Sequence, residues 1–355
     1  MSPALDKIDK NFAIPKTIDK EDVVFYNVLS EPFRIHGLLS PKNENEVYYR
    51  IPPEVAQTVS EGVFSLNKHT TGGRVRFVTD SPYIAVRAAL SNMNKLSHMP
   101  MTAAAGLDMY FREGGKEIYK GTFRPPFDIE VGFESVINCE EGEKTVTINF
   151  PLFSEVKALF IGLKEGATLK SAPDYKYSVP IVYYGSSITQ GGCASRPGNT
   201  YESIISRELD CDYINLGFSG NAKGEKEISD YIRNLDMSIF VYDYDHNAPT
   251  AEHLKNTHER MFKEFRETNP NIPVIMLSRP KFYLTKEEEE RAHIVRQTYE
   301  NALNQGDKNV YHIYGKDLLS GFAKNDGTVD NTHPNDMGFA SMAEKLCSLI
   351  EKILV

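Results

Sequence analysis

A hydroxyl delivered at the end of an apolar run is a candidate nucleophile. In VPIVYYGSSITQGG, the run Ile181-Val182-Tyr183-Tyr184 ends in a glycine turn that carries Ser187. Acyl transfer by a serine needs three more things. A base must take the hydroxyl proton during attack, and histidine suits because its pKa lies near neutrality. A carboxylate must fix the imidazole tautomer and stabilise the imidazolium. Hydrogen-bond donors must stand where the oxyanion forms. The segment DNTHPND offers Asp330 and His333, and their three-residue step lets both side chains fold to one side of a loop. INLGFSGNA offers Gly220, whose N–H can approach a ligand with no Cβ in the way. YDYDHNA offers the side-chain amide of Asn247, and the N–H of Ser187 itself completes a candidate oxyanion hole. Singly, each has a plainer explanation: a loop glycine, an Asx turn, a helix cap. Together, and in this order, they argue for one site.

The elements around them support that placement. From Ile181 onward, short apolar runs alternate with amphipathic stretches. YINLGF, SIFVYDY, IPVIMLS and VYHIY read as strands after Ile181–Tyr184. The helical stretches include Tyr201, Ile204, Ile205 and Leu209 on one stripe, and a long segment that Thr250 caps. Five βα units of this kind predict a parallel sheet covered on both faces, a flavodoxin-like three-layer α/β domain. Such sheets bind ligands at the carboxyl ends of their strands. Ser187, Gly220 and Asn247 each follow a strand, and Asp330 and His333 precede the last helix.

The first half has another period. GRVRFVTDSPYIAVRAAL alternates through Val75, Phe77, Ile84, Val86 and Ala88, and KTVTINF through Val146, Ile148 and Phe150. Period-two patterns broken by Gly, Pro and Asp predict an all-β, jelly-roll-like sandwich. The expected division is a β-sandwich over 1–168, a polar linker over 169–179 and the α/β domain over 180–355.

Bulk properties exclude much else. The chain has 355 residues and a net charge of -9, against the basic patch that nucleic-acid binding wants. Its four cysteines stand without CxxC spacing, so no metal site is expected, and the chemistry requires no cofactor. No run approaches a membrane span. The N-terminus lacks a signal-type apolar core, so the expected location is cytoplasmic, or secreted or periplasmic if a leader preceded it. His253 and His258, five apart on one helix, read as surface histidines. His246, Arg279 and Arg196 are candidate substrate contacts, each with a structural hydrogen bond or ion pair as the plainer alternative. Cys193 stands too far from the turn to be the nucleophile.

These blocks resemble the SGNH, or GDSL-type, hydrolases, whose four motifs carry Ser, Gly, Asn and His in that order. Here they read GSSIT, INLGFSGNA, YDYDHNA and DNTHPND. The resemblance implies that Ser187 is nucleophile and first oxyanion donor, Gly220 and Asn247 the other donors, His333 the base and Asp330 its partner. Two departures stand out: Ser186 replaces the family's usual Asp before the nucleophile, and the third block differs around Asn247. GLDMY, residues 106–110, is similar to the Gly-x-Asp-Leu-Tyr signature of a β-sandwich found ahead of some bacterial members. Members of that layout look like carbohydrate esterases, which implies removal of a short acyl group, acetyl first, from a small or oligosaccharide ester. An acyltransferase using the same site, or a sugar-binding protein with a degenerate hydrolase domain, remains an alternative. Self-association is left open.

Overall fold

The computed structural model describes residues 14–41 and 47–355. Residues 1–13, part of the expected first domain and of the stretch read for a leader, lie outside the described residues. The chain forms two compact units, and they are not its two halves. The first holds residues up to Arg50, Lys68–Asp174 and Ser195–Gly198; the second holds Ile51–Asn67, Tyr175–Ala194 and everything from Asn199.

The first unit is an antiparallel sandwich. Its strands are β1 (Val23–Asn27), β2 (Arg34–His36), β3 (Arg74–Thr79), β4 (Tyr83–Ser91), β5 (Leu107–Glu113), β6 (Lys116–Phe123), β7 (Gly132–Asn138), β8 (Lys144–Asn149), β9 (Glu155–Lys164) and β10 (Leu169–Lys170). One sheet runs β1-β9-β4-β7; the other runs β10-β3-β8-β5-β6, with β2 paired to β3. The alternating residues face inward as the period requires. Val75, Phe77, Ile84, Val86, Ala88, Val146, Ile148 and Phe150 all join one buried core.

Two early helices, α1 (Pro53–Val59) and α2 (Glu61–Leu66), belong instead to the second unit, while α3 (Met101–Ala104) stays in the first. Ile51, Ala56 and Val63 are buried with Ile228, Ile232 and Leu254 in the core of the second unit. A contiguous boundary near 168 therefore misplaces this segment. Its apolar positions show that a face must be buried, but not which sheet buries it. The linker expected over 169–179 is also shorter, because β10 occupies Leu169–Lys170 and β11 (Tyr177–Gly185) begins before the apolar run. Tyr177 pairs with Cys211 through the backbone, and the register then shifts before Ile181. Backbone pairing at a strand's exposed start needs no apolar side chain, so polarity alone could not reveal it.

The second unit is a five-stranded parallel sheet with helices. In chain order come α4 (Tyr201–Leu209), β12 (Cys211–Gly217), α5 (Lys226–Ile232), β13 (Ile239–Asp243), α6 (Ala251–Thr268), β14 (Val274–Leu277), α7 (Lys286–Asn304), β15 (Val310–Ile313), α8 (Gly315–Leu318), α9 (Ala323–Asp326) and α10 (Asp336–Leu354). The strand order is β12-β11-β13-β14-β15. Strand β11 is thus flanked by β12 and β13, and Gly185 sits in register with both Gly217 and Asp243. Three loops leave the sheet side by side at its carboxyl edge, which is what a site assembled from several strands requires. Helix starts are fixed locally: Thr200, Thr250 and Asn335 cap α4, α6 and α10, and Thr285 forms a capping box with Glu288 on α7. No helix among the described residues is long and apolar enough to cross a membrane.

Candidate active site

Ser187 leaves β11 on a turn that its neighbours hold closed. The Ser186 Oγ accepts the Ile188 N–H at 3.1 Å, and the Ser187 carbonyl accepts the Gly192 N–H at 2.8 Å. Ser186 thus makes the local turn contact open to a short oxygen-bearing side chain at that position, and the departure from aspartate leaves the turn intact. Gly185 tolerates no side chain, since a Cβ there would lie 1.9 Å from Asp243 Oδ1 and 2.2 Å from Thr189 Oγ1.

The Ser187 Oγ lies 2.9 Å from Nε2 of His333, whose Nδ1 lies 2.8 Å from Oδ2 of Asp330. The second carboxylate oxygen of Asp330 accepts the backbone N–H groups of His333 at 2.8 Å and Thr332 at 3.1 Å. The chain reverses tightly enough for this because Asn331 takes the left-handed conformation, φ 63°, that asparagine tolerates. Partial burial works against the Asp330 charge, but the hydrogen bonds and charge of His333 outweigh it and hold the carboxyl below its ordinary range. Gly192 keeps the other side of the imidazole clear, since a Cβ there would stand 3.2 Å from the ring's Cδ2.

Gly220 and Asn247 stand on the two flanking loops. Gly220 has φ 68°, and the Asn247 Nδ2 donates to the Phe218 carbonyl at 3.2 Å, which draws the third loop onto the second. The N–H groups of Ser187 and Gly220 donate to no protein acceptor among the described residues. Asn247 also has a second amide hydrogen to offer.

The candidate substrate contacts separate differently. His246 Nδ1 donates to the Asp245 carboxylate, 2.9 Å away, and its Nε2 is buried without a partner. Burial alone would raise the Asp245 carboxyl, but hydrogen bonds from the His246 ring and from the Arg279 and His246 amides lower it. Arg279 pairs with Glu288 at 2.5 Å and donates to Thr332 Oγ1 at 2.6 Å. It thereby braces the loop that carries His333. Arg196 lies within the first unit, where it pairs with Asp108 of the GLDMY segment at 2.7 Å and covers the Tyr119 ring at 3.9 Å. For both arginines the ion-pair alternative describes what the side chain does. Cys193 is buried, and burial with the nearby Asp330 charge pushes its thiol up to about 12, far from a thiolate nucleophile.

His258 departs from the surface expectation. It is 1% exposed, stacks on Tyr242 at 4.6 Å and meets Thr298 Oγ1 at 2.9 Å. The helix places it four residues after Leu254 and four before Phe262, on the buried stripe, so the spacing carried the signal. Two supporting residues escaped the sequence reading. Gln190, wholly buried, accepts the Ser219 N–H at 2.9 Å, and Asn215 donates to the Thr189 carbonyl at 2.6 Å. Gln190 ties the first loop to the second, and Asn215 ties it to strand β12. Lone amides carry no periodic signature, so only contact reveals them.

The family profile of GDSL-like lipases/acylhydrolases matches residues 178–351, and that of the GxDLY N-terminus of SGNH-type esterases matches residues 23–169. Among solved structures, a protein from Bacteroides ovatus described as a GDSL-like lipase is 28% identical, with a TM-score of 0.84 over 94% of this chain and 98% of that one. The salicylyl-acyltransferase SsfX3 of a tetracycline biosynthetic pathway is 20% identical, with a TM-score of 0.76 over 95% and 99%. An acetyl xylan esterase from the rumen bacterium Butyrivibrio proteoclasticus is 14% identical, with a TM-score of 0.58 over 94% and 98%. The latter two share the fold. No curated protein matches the sequence.

Proposed function

The chain belongs to the GDSL-like lipase/acylhydrolase family of SGNH-type esterases, with their GxDLY-type N-terminal domain, and from that premise we propose that Ser187, His333 and Asp330 carry its ester hydrolysis. The supporting observation is the chain of contacts from the Ser187 Oγ to His333 Nε2 at 2.9 Å and from His333 Nδ1 to Asp330 at 2.8 Å. His333 Nε2 takes the hydroxyl proton as Ser187 attacks the ester carbonyl, while Asp330 steadies the Nδ1–H and the transient imidazolium. The oxyanion settles among the N–H groups of Ser187 and Gly220 and the Asn247 amide. The proton passes from His333 to the departing alcohol. Water, activated by the same imidazole, then releases the acid from Ser187.

The acyl group is short, acetyl first, and the alcohol polar, a sugar hydroxyl. Family two carbohydrate esterases and the acetyl xylan esterase share the fold, and this favours a carbohydrate ester. The same acyl-enzyme serves transfer when a second alcohol replaces water. The acyltransferase among the structural neighbours makes that variant worth measuring in the same assay. The test is hydrolysis of p-nitrophenyl acetate, butyrate and octanoate by the wild type and Ser187→Ala, with and without an added sugar acceptor. Acetate turnover should fall about ten-thousand-fold or more in the variant. Turnover that survives Ser187→Ala would sink the assignment, and preference for octanoate would sink the carbohydrate reading. Acylated sugar as the main product would make the protein a transferase.

A further inference from the structure

The turn that carries Gly220 is built so that one peptide can point in only one direction. Asn221 N–H donates to the Phe218 carbonyl at 2.8 Å, closing a four-residue turn. Its third residue, Gly220, has φ 68°, whereas Ser219 is not among the positive-φ residues. That combination defines a type II turn. A type I turn over the same residues inverts the central peptide, exchanging the directions of its carbonyl and its N–H. That central peptide bears the Ser219 carbonyl and the Gly220 N–H.

The side chain of Asn221 decides between the two. Its Nδ2 donates to the Ser219 carbonyl at 2.7 Å. In a planar trans peptide the carbonyl and the N–H point to opposite sides, so fixing the carbonyl aims the Gly220 N–H away from Asn221. Gln190 anchors the preceding peptide through the Ser219 N–H. The Asn221 amide in turn sits on Gly62 of α2. A Cβ at Gly62 would lie 1.9 Å from Asn221 Oδ1, 2.4 Å from Cγ and 2.9 Å from Nδ2. Gly62 is not in the left-handed region, so space alone, not backbone conformation, excludes a side chain there. The easiest relief of that clash is rotation of Asn221 off the Ser219 carbonyl.

We propose that Asn221 is a positioning residue that sets the direction of the Gly220 N–H, and that Gly62 is its seat. The proposal rests on reading Gly220 as an oxyanion donor. It gives the early segment Ile51–Asn67, which belongs to the hydrolase unit, a part in the reaction. Asn221→Asp keeps the shape but cannot donate to a carbonyl; Gly62→Ala leaves Asn221 in place and removes its room. With p-nitrophenyl acetate, each should lower kcat by about 10- to 100-fold with KM changed less than about twofold. Rates are taken per Ser187 that a fluorophosphonate can label, so loss of folded protein does not count as loss of kcat. Gly62→Ala should melt close to the wild type, because the better helix propensity of alanine offsets the hydrogen bond that Asn221 gives up. In the Gly62→Ala/Asn221→Ala pair, the loss should equal that of Asn221→Ala alone, since nothing remains for the new methyl to displace. Ser187-dependent turnover untouched by Asn221→Asp, or losses that multiply in the pair, overturns the proposal alone. Wild-type turnover that is absent, or that survives Ser187→Ala, overturns the reading beneath it as well.

Discussion

Asp330 shows how one carboxylate can be both orienter and prop. One oxygen meets the His333 ring and the other gathers two backbone N–H groups of the same turn. Replacing it by asparagine removes the charge that favours the imidazolium and offers an N–H where an acceptor is needed. We expect Asp330→Asn to cut kcat by about a hundred- to ten-thousand-fold. The carboxyl is held below its ordinary range, so its contribution to stability is present above the unfolded pKa of about 3.9 and lost as pH falls through the lower folded value. Urea midpoints of wild type and Asp330→Asn should therefore differ at neutral pH and converge in acid. A gap that stays constant down to the acid limit would contradict this account.

Strand β13 ends in a carboxyl of the opposite kind. Asp243 is 1% exposed and accepts the Thr189 hydroxyl at 2.5 Å, and burial raises its pKa to about 8. It is protonated in the native state near neutrality and ionised when unfolded. Its stabilisation is complete below about pH 3.9 and is lost as pH rises through about 8. Asp243→Asn keeps an acceptor for Thr189 and removes the titration, so its stability should vary less between those limits and gain on the wild type as pH rises. Parallel pH profiles of the two proteins would rule this out. The strands themselves were legible in the sequence because side-chain direction follows a fixed period: Val75, Phe77, Val146 and Ile148 had to share a face. The order of Ser187, Gly220, Asn247 and His333 was legible because each follows a strand or precedes a helix with a clear pattern. Gln190, Asn215 and Asn221 were not. Gln190 meets the Ser219 N–H, Asn215 on β12 meets the Thr189 carbonyl and Asn221 meets Gly62 of α2, each a partner distant in sequence that no local spacing encodes. His258 was misread because its five-residue step from His253 was weighed and its place on the apolar stripe with Leu254 and Phe262 was not.

Taken as a whole, the molecule divides by contact, not by position along the chain. Ile51, Ala56 and Val63 are at most 1% exposed and lie in the core of the hydrolase unit. A fragment cut at 169 therefore loses part of its own core. It should expose apolar surface, bind a hydrophobic dye and lose cooperative unfolding; a soluble, cooperatively melting 169–355 fragment would refute that. The converse cut is no cleaner, since Ser195–Gly198 belongs with the sandwich and Asp108 accepts the Gly198 N–H at 2.9 Å. This interleaving has a consequence on the ribosome. At about 5–20 residues per second, the segment Ile51–Asn67 emerges several seconds before any strand of the sheet that will cover it. The sandwich, for its part, waits for residues made after the nucleophile. Neither unit is a cassette that translation can finish and set aside, and a recombination event at one junction would carry away an incomplete version of both.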